Sequence, residues 1–147
     1  QAVVNELLKA MVRVRERPGR LLVCATNSIG DLDPAVVRPG RFDLVLPIGP
    51  PDADARRDLL SSMLAAIPSS DADPDALVEV SDGLTPADIA SAVQAAAATA
   101  FREVRSGSAD RRLETADVEA ALRSTTPTIS DEARRRFADE AERFARS

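Results

Sequence analysis

Leu32-Asp33-Pro34-Ala35-Val36-Val37-Arg38-Pro39-Gly40-Arg41-Phe42-Asp43 places two guanidinium groups three residues apart across a Pro-Gly break. Proline lacks the backbone N–H and glycine lacks a Cβ, so a helix stops here and neither Arg38 nor Arg41 is committed to a regular helix face. Both can point out of the body that carries them. Arginine's planar fork matches phosphate oxygens, and an arginine supplied to a nucleotide site from outside accelerates phosphoryl transfer by about 10³ to 10⁵. The plain alternative is a surface turn in which Arg41 pairs with Asp43, worth at most about 1 kcal/mol when exposed.

Working toward the N-terminus, Leu21-Leu22-Val23-Cys24-Ala25 is an unbroken apolar run followed by Thr26-Asn27. Such a run fits a strand buried on both faces of a parallel sheet. Asn27 then stands at the carboxyl end of that strand, where ligands gather in open α/β sheets. The competing reading is that Thr26 and Asn27 only cap and turn the loop. Upstream, Val3, Val4, Leu7, Leu8, Met11 and Val14 follow helical spacing until Pro18-Gly19. Downstream, a short helical turn over 34–37 and a second strand over 44–48 are expected.

After Gly49-Pro50-Pro51 the pattern turns purely helical, which places a lobe boundary there. Helices are expected over 52–67, 75–80, 85–104 and 115–123, and from Ser130 to about residue 146. In the long one Ile89, Val93, Ala96, Ala97, Ala100, Phe101 and Val104 face inward, the alanines permitting close packing; in the last, Phe137, Ala141 and Phe144 form the apolar stripe. The fold class expected is therefore α/β plus all-α: a partial P-loop-type sheet (helix, strand, helix, strand) over 1–49, then a small helical bundle over 50–147.

Composition bounds the chemistry. At 147 residues and 44% hydrophobic, the chain can bury a core as one compact body or two small lobes. A net charge of −5 removes the long-range attraction that nucleic-acid phosphates or an anionic membrane would need. One cysteine and no histidine leave no disulfide within the chain and no usual zinc ligand set, and take away the commonest general base. Cys24, inside the apolar run, reads as an inert core residue. No apolar stretch approaches the roughly 20 residues that span a bilayer, and no signal-peptide pattern opens the sequence, so a cytoplasmic protein is expected. The chain starts at Gln1 inside an expected helix, which suggests a longer parent.

Ala25-Thr26-Asn27, Leu32-Asp33-Pro34-Ala35, Arg38-Pro39-Gly40-Arg41-Phe42-Asp43, Pro51-Asp52 and Gly83-Leu84-Thr85-Pro86-Ala87-Asp88-Ile89 stand in an order and spacing that, together with the closing helix after Pro127-Thr128-Ile129-Ser130, resembles the second half of an AAA ATPase module of the valosin-containing-protein type. The resemblance implies that Asn27 is sensor 1, which holds the attacking water or the γ-phosphate. It implies that Arg38 and Arg41 are arginine fingers reaching the ATP of the neighbouring subunit in a hexameric ring. The helical lobe would be the lid that closes over adenine, with Leu59 against the base and Pro86 and Ala87 where relatives place a Gly-Ala pair beside the nucleotide. Leu59 reads equally as a core leucine. Pro86 departs from the family pattern; its ring removes a donor and fixes φ, which suits the first turn of a helix behind Thr85 but alters the close approach to the sugar.

The resemblance further implies ATP and Mg²⁺ as cofactors of the intact parent, a protein substrate, and an ATP-driven remodelling or unfolding activity, while charge and hydropathy lead to the expectation of no nucleic-acid partner and no membrane insertion. A phosphate-gripping loop needs glycines followed by Lys-Ser or Lys-Thr, and the only lysine, Lys9, is followed by alanine. The acidic strand end that holds Mg²⁺ is absent as well, so this chain alone is expected neither to bind ATP tightly nor to hydrolyse it. The alternative is a non-catalytic AAA-like adaptor or assembly module.

Overall fold

The structure, a computed structural model, describes the chain except for residues 1, 16, 37–41, 43, 108–109 and 146–147. Six helices are present among the described residues: α1 (Ala2–Arg15), α2 (Ala53–Ala65), α3 (Pro74–Leu77), α4 (Pro86–Arg105), α5 (Thr115–Ser124) and α6 (Asp131–Phe144). The chain divides into two compact units, Gln1–Ile48 with Arg135–Ser147, and Gly49–Arg134.

In the unit Gly49–Arg134 each helix starts where a side chain replaces a missing backbone partner. Asp52 accepts from the Ala55 N–H at the head of α2, and Asp73 accepts from the Asp75 N–H at α3. Thr85 and Asp88 form a reciprocal capping box at α4, with Pro86 at the first helical position. α4 packs against both α2 and α5, and α3 bridges α2 and α5. Ile89, Ala92, Val93, Ala96 and Ala100 recur at three- and four-residue steps, so α4 buries one stripe against Leu60 and Leu64 of α2 and Val118 and Leu122 of α5. Phe101 departs from the expected inward set: it is 62% exposed. The buried stripe centres on Ala96 and Ala100, and one further residue turns the ring about 100° away from it.

Two loops of this unit are fastened to each other rather than to helices. Leu113 donates to the Ser69 carbonyl and accepts from the Asp71 N–H, both at 2.9 Å, making an isolated parallel bridge between Ser70 and Leu113. The first turn of α2 carries Arg56, a buried arginine. Its guanidinium donates to the carbonyls of Pro51 (3.0 Å) and Val78 (3.4 Å) and reaches the Asp82 carboxylate at 3.1 Å. Every proton the fork turns inward thus meets an oxygen, as burial of a charge demands.

In the other unit α1 buries Leu8 and Met11, one turn apart. α6 enters this unit at Arg135, after starting within Gly49–Arg134, where the Ser130 hydroxyl accepts from the Ala133 N–H at 3.2 Å. Phe137, Ala141 and Phe144 are half-buried along one stripe of α6, as their spacing predicts. The residues expected as strands, 21–25 and 44–48, form no ladder among the described residues beyond a lone bridge residue at Val45. They lie largely open, with Leu21 88% and Ile48 89% exposed, and Cys24 is exposed rather than in a core. A segment becomes a strand only when its N–H and C=O groups find a neighbouring ladder, and among the described residues neither run has one beyond the bridge at Val45. Residues 34–36 form a turn, closed by Val36 N–H to the Asp33 carbonyl at 2.8 Å, where a short helix was expected. No helix among the described residues is long and apolar enough to cross a membrane.

Candidate functional site

The loop that begins at Asn27 is organised by its neighbours. Thr26 Oγ1 donates to the Ser28 carbonyl at 2.9 Å and accepts from the Ser28 N–H at 3.2 Å, closing a small turn around Asn27. Thr26 therefore does the turning, and among the described residues the exposed Asn27 amide is left without a hydrogen-bond partner. From Ile29 the chain runs through two successive turns, Leu32 N–H to Ile29 carbonyl and Val36 N–H to Asp33 carbonyl. Asp33 also accepts from the Ala35 N–H at 2.8 Å. Arg38 and Arg41 lie outside the described residues.

The other sequence-predicted residues belong to the unit Gly49–Arg134. Leu59 sits on α2, partly buried against the helical core and partly open. Pro86 and Ala87 are exposed at the first turn of α4. The N–H groups of that turn are already largely spoken for: the Thr85 hydroxyl accepts from Asp88 N–H at 3.1 Å, and proline brings none. This end of α4 thus offers a shaped edge more than a set of free donors.

Asp88 was not marked by sequence as a site residue, and it is the best-connected carboxylate of this region. It is buried, accepts the Thr85 N–H at 2.9 Å and the Thr128 N–H at 3.1 Å, and takes a short hydrogen bond from the Thr128 hydroxyl. The Thr128 hydroxyl, followed by the backbone donors, holds this carboxyl down at about 2 against the cost of burial. One side chain so ties the start of α4 to the loop preceding α6, 40 residues on. The signal available in sequence was the capping-box spacing of Thr85 and Asp88, which foretells the local bonds but not the remote threonine.

Around the Asp88 turn, Gly83 adopts φ +75 and approaches the Arg134 guanidinium so closely that a Cβ would meet Nη1 at 2.5 Å. Arg134 is held there by Asp131. At the far end of α4, Arg111 joins Glu103 to Asp117 of α5 at 2.8 and 2.5 Å, both carboxylates raising its pKa further. Among the described residues no group of acidic, cysteine or histidine side chains could hold a metal ion. A nucleotide's phosphates have no cradle in this sequence either: Lys9, the only lysine, lies exposed in α1 and pairs with Glu6 at 2.9 Å.

Comparison with known proteins gives this arrangement its context. Residues 1–50 match the family model described as "ATPase family associated with various cellular activities (AAA)". The chain is 39% identical over 104 residues to the ATP-dependent zinc metalloprotease FtsH of Mycobacterium bovis, which covers 70% of this chain and 14% of that protein. It is 40% identical over 101 residues to protein SAV of Sulfolobus acidocaldarius, covering 68% of this chain and 13% of that one. The Drosophila melanogaster ATP-dependent zinc metalloprotease YME1L is 34% identical over 113 residues, 77% of this chain and 15% of its own length. The chain thus spans about one seventh of the curated relatives it matches. Among solved structures the FIGL-1 AAA domain superposes with a TM-score of 0.66 at 24% identity, over 78% of this chain and 40% of that one. A structure described as the basis for katanin self-assembly superposes with a TM-score of 0.54 at 22% identity, over 63% of this chain and 37% of that one. The solved structures share the fold, and the family model with the curated relatives places the chain in the AAA ATPase family.

Proposed function

We propose that this chain is the C-terminal portion of one AAA module of the valosin-containing-protein type, part of a hexameric, cytoplasmic ATPase that couples hydrolysis to the remodelling or unfolding of proteins. Residues 1–49 close the large α/β subdomain and residues 50–147 form the helical lid. Asn27 orients the attacking water, Arg38 and Arg41 complete the active site of the adjacent subunit, and Leu59, Pro86 and Ala87 border the adenosine. ATP and Mg²⁺ are cofactors of the parent protein, gripped by residues other than these 147.

The observation that carries this reading is the family match over 1–50, which encloses Asn27, Arg38 and Arg41 in order. Two further facts support it. The Asn27 amide is exposed and unengaged among the described residues, because Thr26 makes the turn. The similar FIGL-1 AAA domain has been solved in complex with ADP, at a TM-score of 0.65.

The test is Arg41→Ala in the parent protein. ATP turnover should fall by about 10³-fold or more while nucleotide affinity, measured by titration, stays within a factor of two or so. Turnover at the parent's rate would remove the finger assignment, whereas an unaltered parent that hydrolyses no ATP would favour the adaptor. The 147-residue chain by itself should release no phosphate from ATP above background.

A further inference from the structure

We propose that Glu140, on α6, is a positioning residue for Asn27: it braces the Ser28-Ile29-Gly30 loop from a helix more than 100 residues away in sequence. The inference rests on the reading of Asn27 as the group that orients water, and adds to it the device that fixes where that group stands.

Glu140 and the Ser28-Ile29-Gly30 loop both belong to the unit Gln1–Ile48 with Arg135–Ser147. The half-buried Glu140 accepts from the Ile29 N–H through Oε2 at 3.4 Å and from the Ser28 hydroxyl through Oε1 at 3.5 Å. These are long contacts, so their strength is modest. Their value lies in placement: Asn27 is bounded on one side by the Thr26 turn and on the other by the first two residues that Glu140 holds. A short polar side chain on an otherwise exposed loop has no other brace among the described residues. Gly30 completes the seat, since a Cβ there would stand 2.9 Å from Glu140 Oε1. The residue at 30 must therefore be small for the carboxylate to lie against the loop. A group that orients water loses much of its effect when displaced by about 1 Å, on the order of 10²-fold in the worst case, so a modest brace can matter greatly to rate.

The test uses the parent protein, with kcat and nucleotide dissociation constant measured separately for Asn27→Ala, Glu140→Ala, Glu140→Gln, Gly30→Ala and the exposed control Glu142→Ala. Asn27→Ala should lower kcat by about 10²-fold. Glu140→Ala should lower it about 10-fold with the dissociation constant unchanged, and Glu140→Gln should restore most of the loss, since an amide oxygen accepts the same two donors. Gly30→Ala leaves α6 untouched and should reproduce the Glu140→Ala defect, which keeps the idea testable should Glu140→Ala fold poorly. Adding Glu140→Ala to Asn27→Ala should cost nothing further. Normal turnover in Glu140→Ala and Gly30→Ala beside a collapsed Asn27→Ala, or a further additive loss in the double variant, would overturn the positioning role and leave Asn27 standing. Normal turnover in Asn27→Ala would overturn the underlying reading, and the inference with it.

Discussion

At Asp88 three donors converge on one carboxylate, the N–H and hydroxyl of Thr128 and the N–H of Thr85, and in return the Thr85 hydroxyl accepts from the Asp88 N–H and caps α4. Its carboxyl is held at about 2 in the folded state, below the ordinary value of 3.8. Folding therefore favours the ionised form, and the stabilisation is fully present above pH 4 or so and fades as pH falls from there toward about 2. Asp88→Asn should cost about 1.5–3 kcal/mol at neutral pH and flatten this acid limb, as urea titrations repeated from pH 7 to pH 2.5 would reveal. Arg56 makes a contrasting case. Its partners are two carbonyls and one exposed carboxylate, so Arg56→Lys, with a single point of charge, cannot satisfy them all. Both Arg56→Lys and Arg56→Ala should lower the unfolding free energy, read from urea transitions, by roughly 1–3 kcal/mol per carbonyl left dry. Neither role was legible beforehand, because a mid-helix arginine in sequence looks like any solvated arginine.

Among the elements, the helices were legible in the sequence, whereas the two runs expected as strands form no ladder among the described residues beyond the bridge at Val45. Each of α1 to α6 begins within a few residues of where apolar spacing and a capping side chain put it, because those signals are local. The runs at 21–25 and 44–48 are apolar enough for buried strands, yet a strand depends on a neighbour that no local pattern supplies. The same distinction explains the site: Thr26 and Asp33 turn the loop as short polar residues do, whereas the Glu140 and Thr128 contacts join segments far apart in the chain. The turn before α4 offers a direct test. Gly83 needs a left-handed φ and lies against Arg134, so Gly83→Ala should destabilise by about 1–2 kcal/mol or more from backbone strain alone. Thermal unfolding of Gly83→Ala beside Thr85→Ala, which should cost about 1 kcal/mol through the lost cap, separates conformation from capping at one helix end.

For the molecule as a whole, the unit Gly49–Arg134 holds one continuous apolar cluster drawn from α2, α3, α4 and α5. Expressed alone, residues 49–134 should fold cooperatively, with a single urea transition and helical circular dichroism; a gradual, uncooperative melt would show that the cluster does not suffice. Within it Leu60, fully buried, should cost about 2–5 kcal/mol when changed to alanine. Because the centre of α4 is covered by α2 on one side and α5 on the other, its amides cannot meet solvent through fraying of a single helix. Deuterium should enter there only when the whole unit opens, so uptake at Val93 and Ala96 is a clock for global unfolding while the open stretch at 21–26 exchanges almost at once. A nucleotide or partner that slows the second clock and leaves the first unchanged has then ordered the Asn27 loop without stabilising the helical unit.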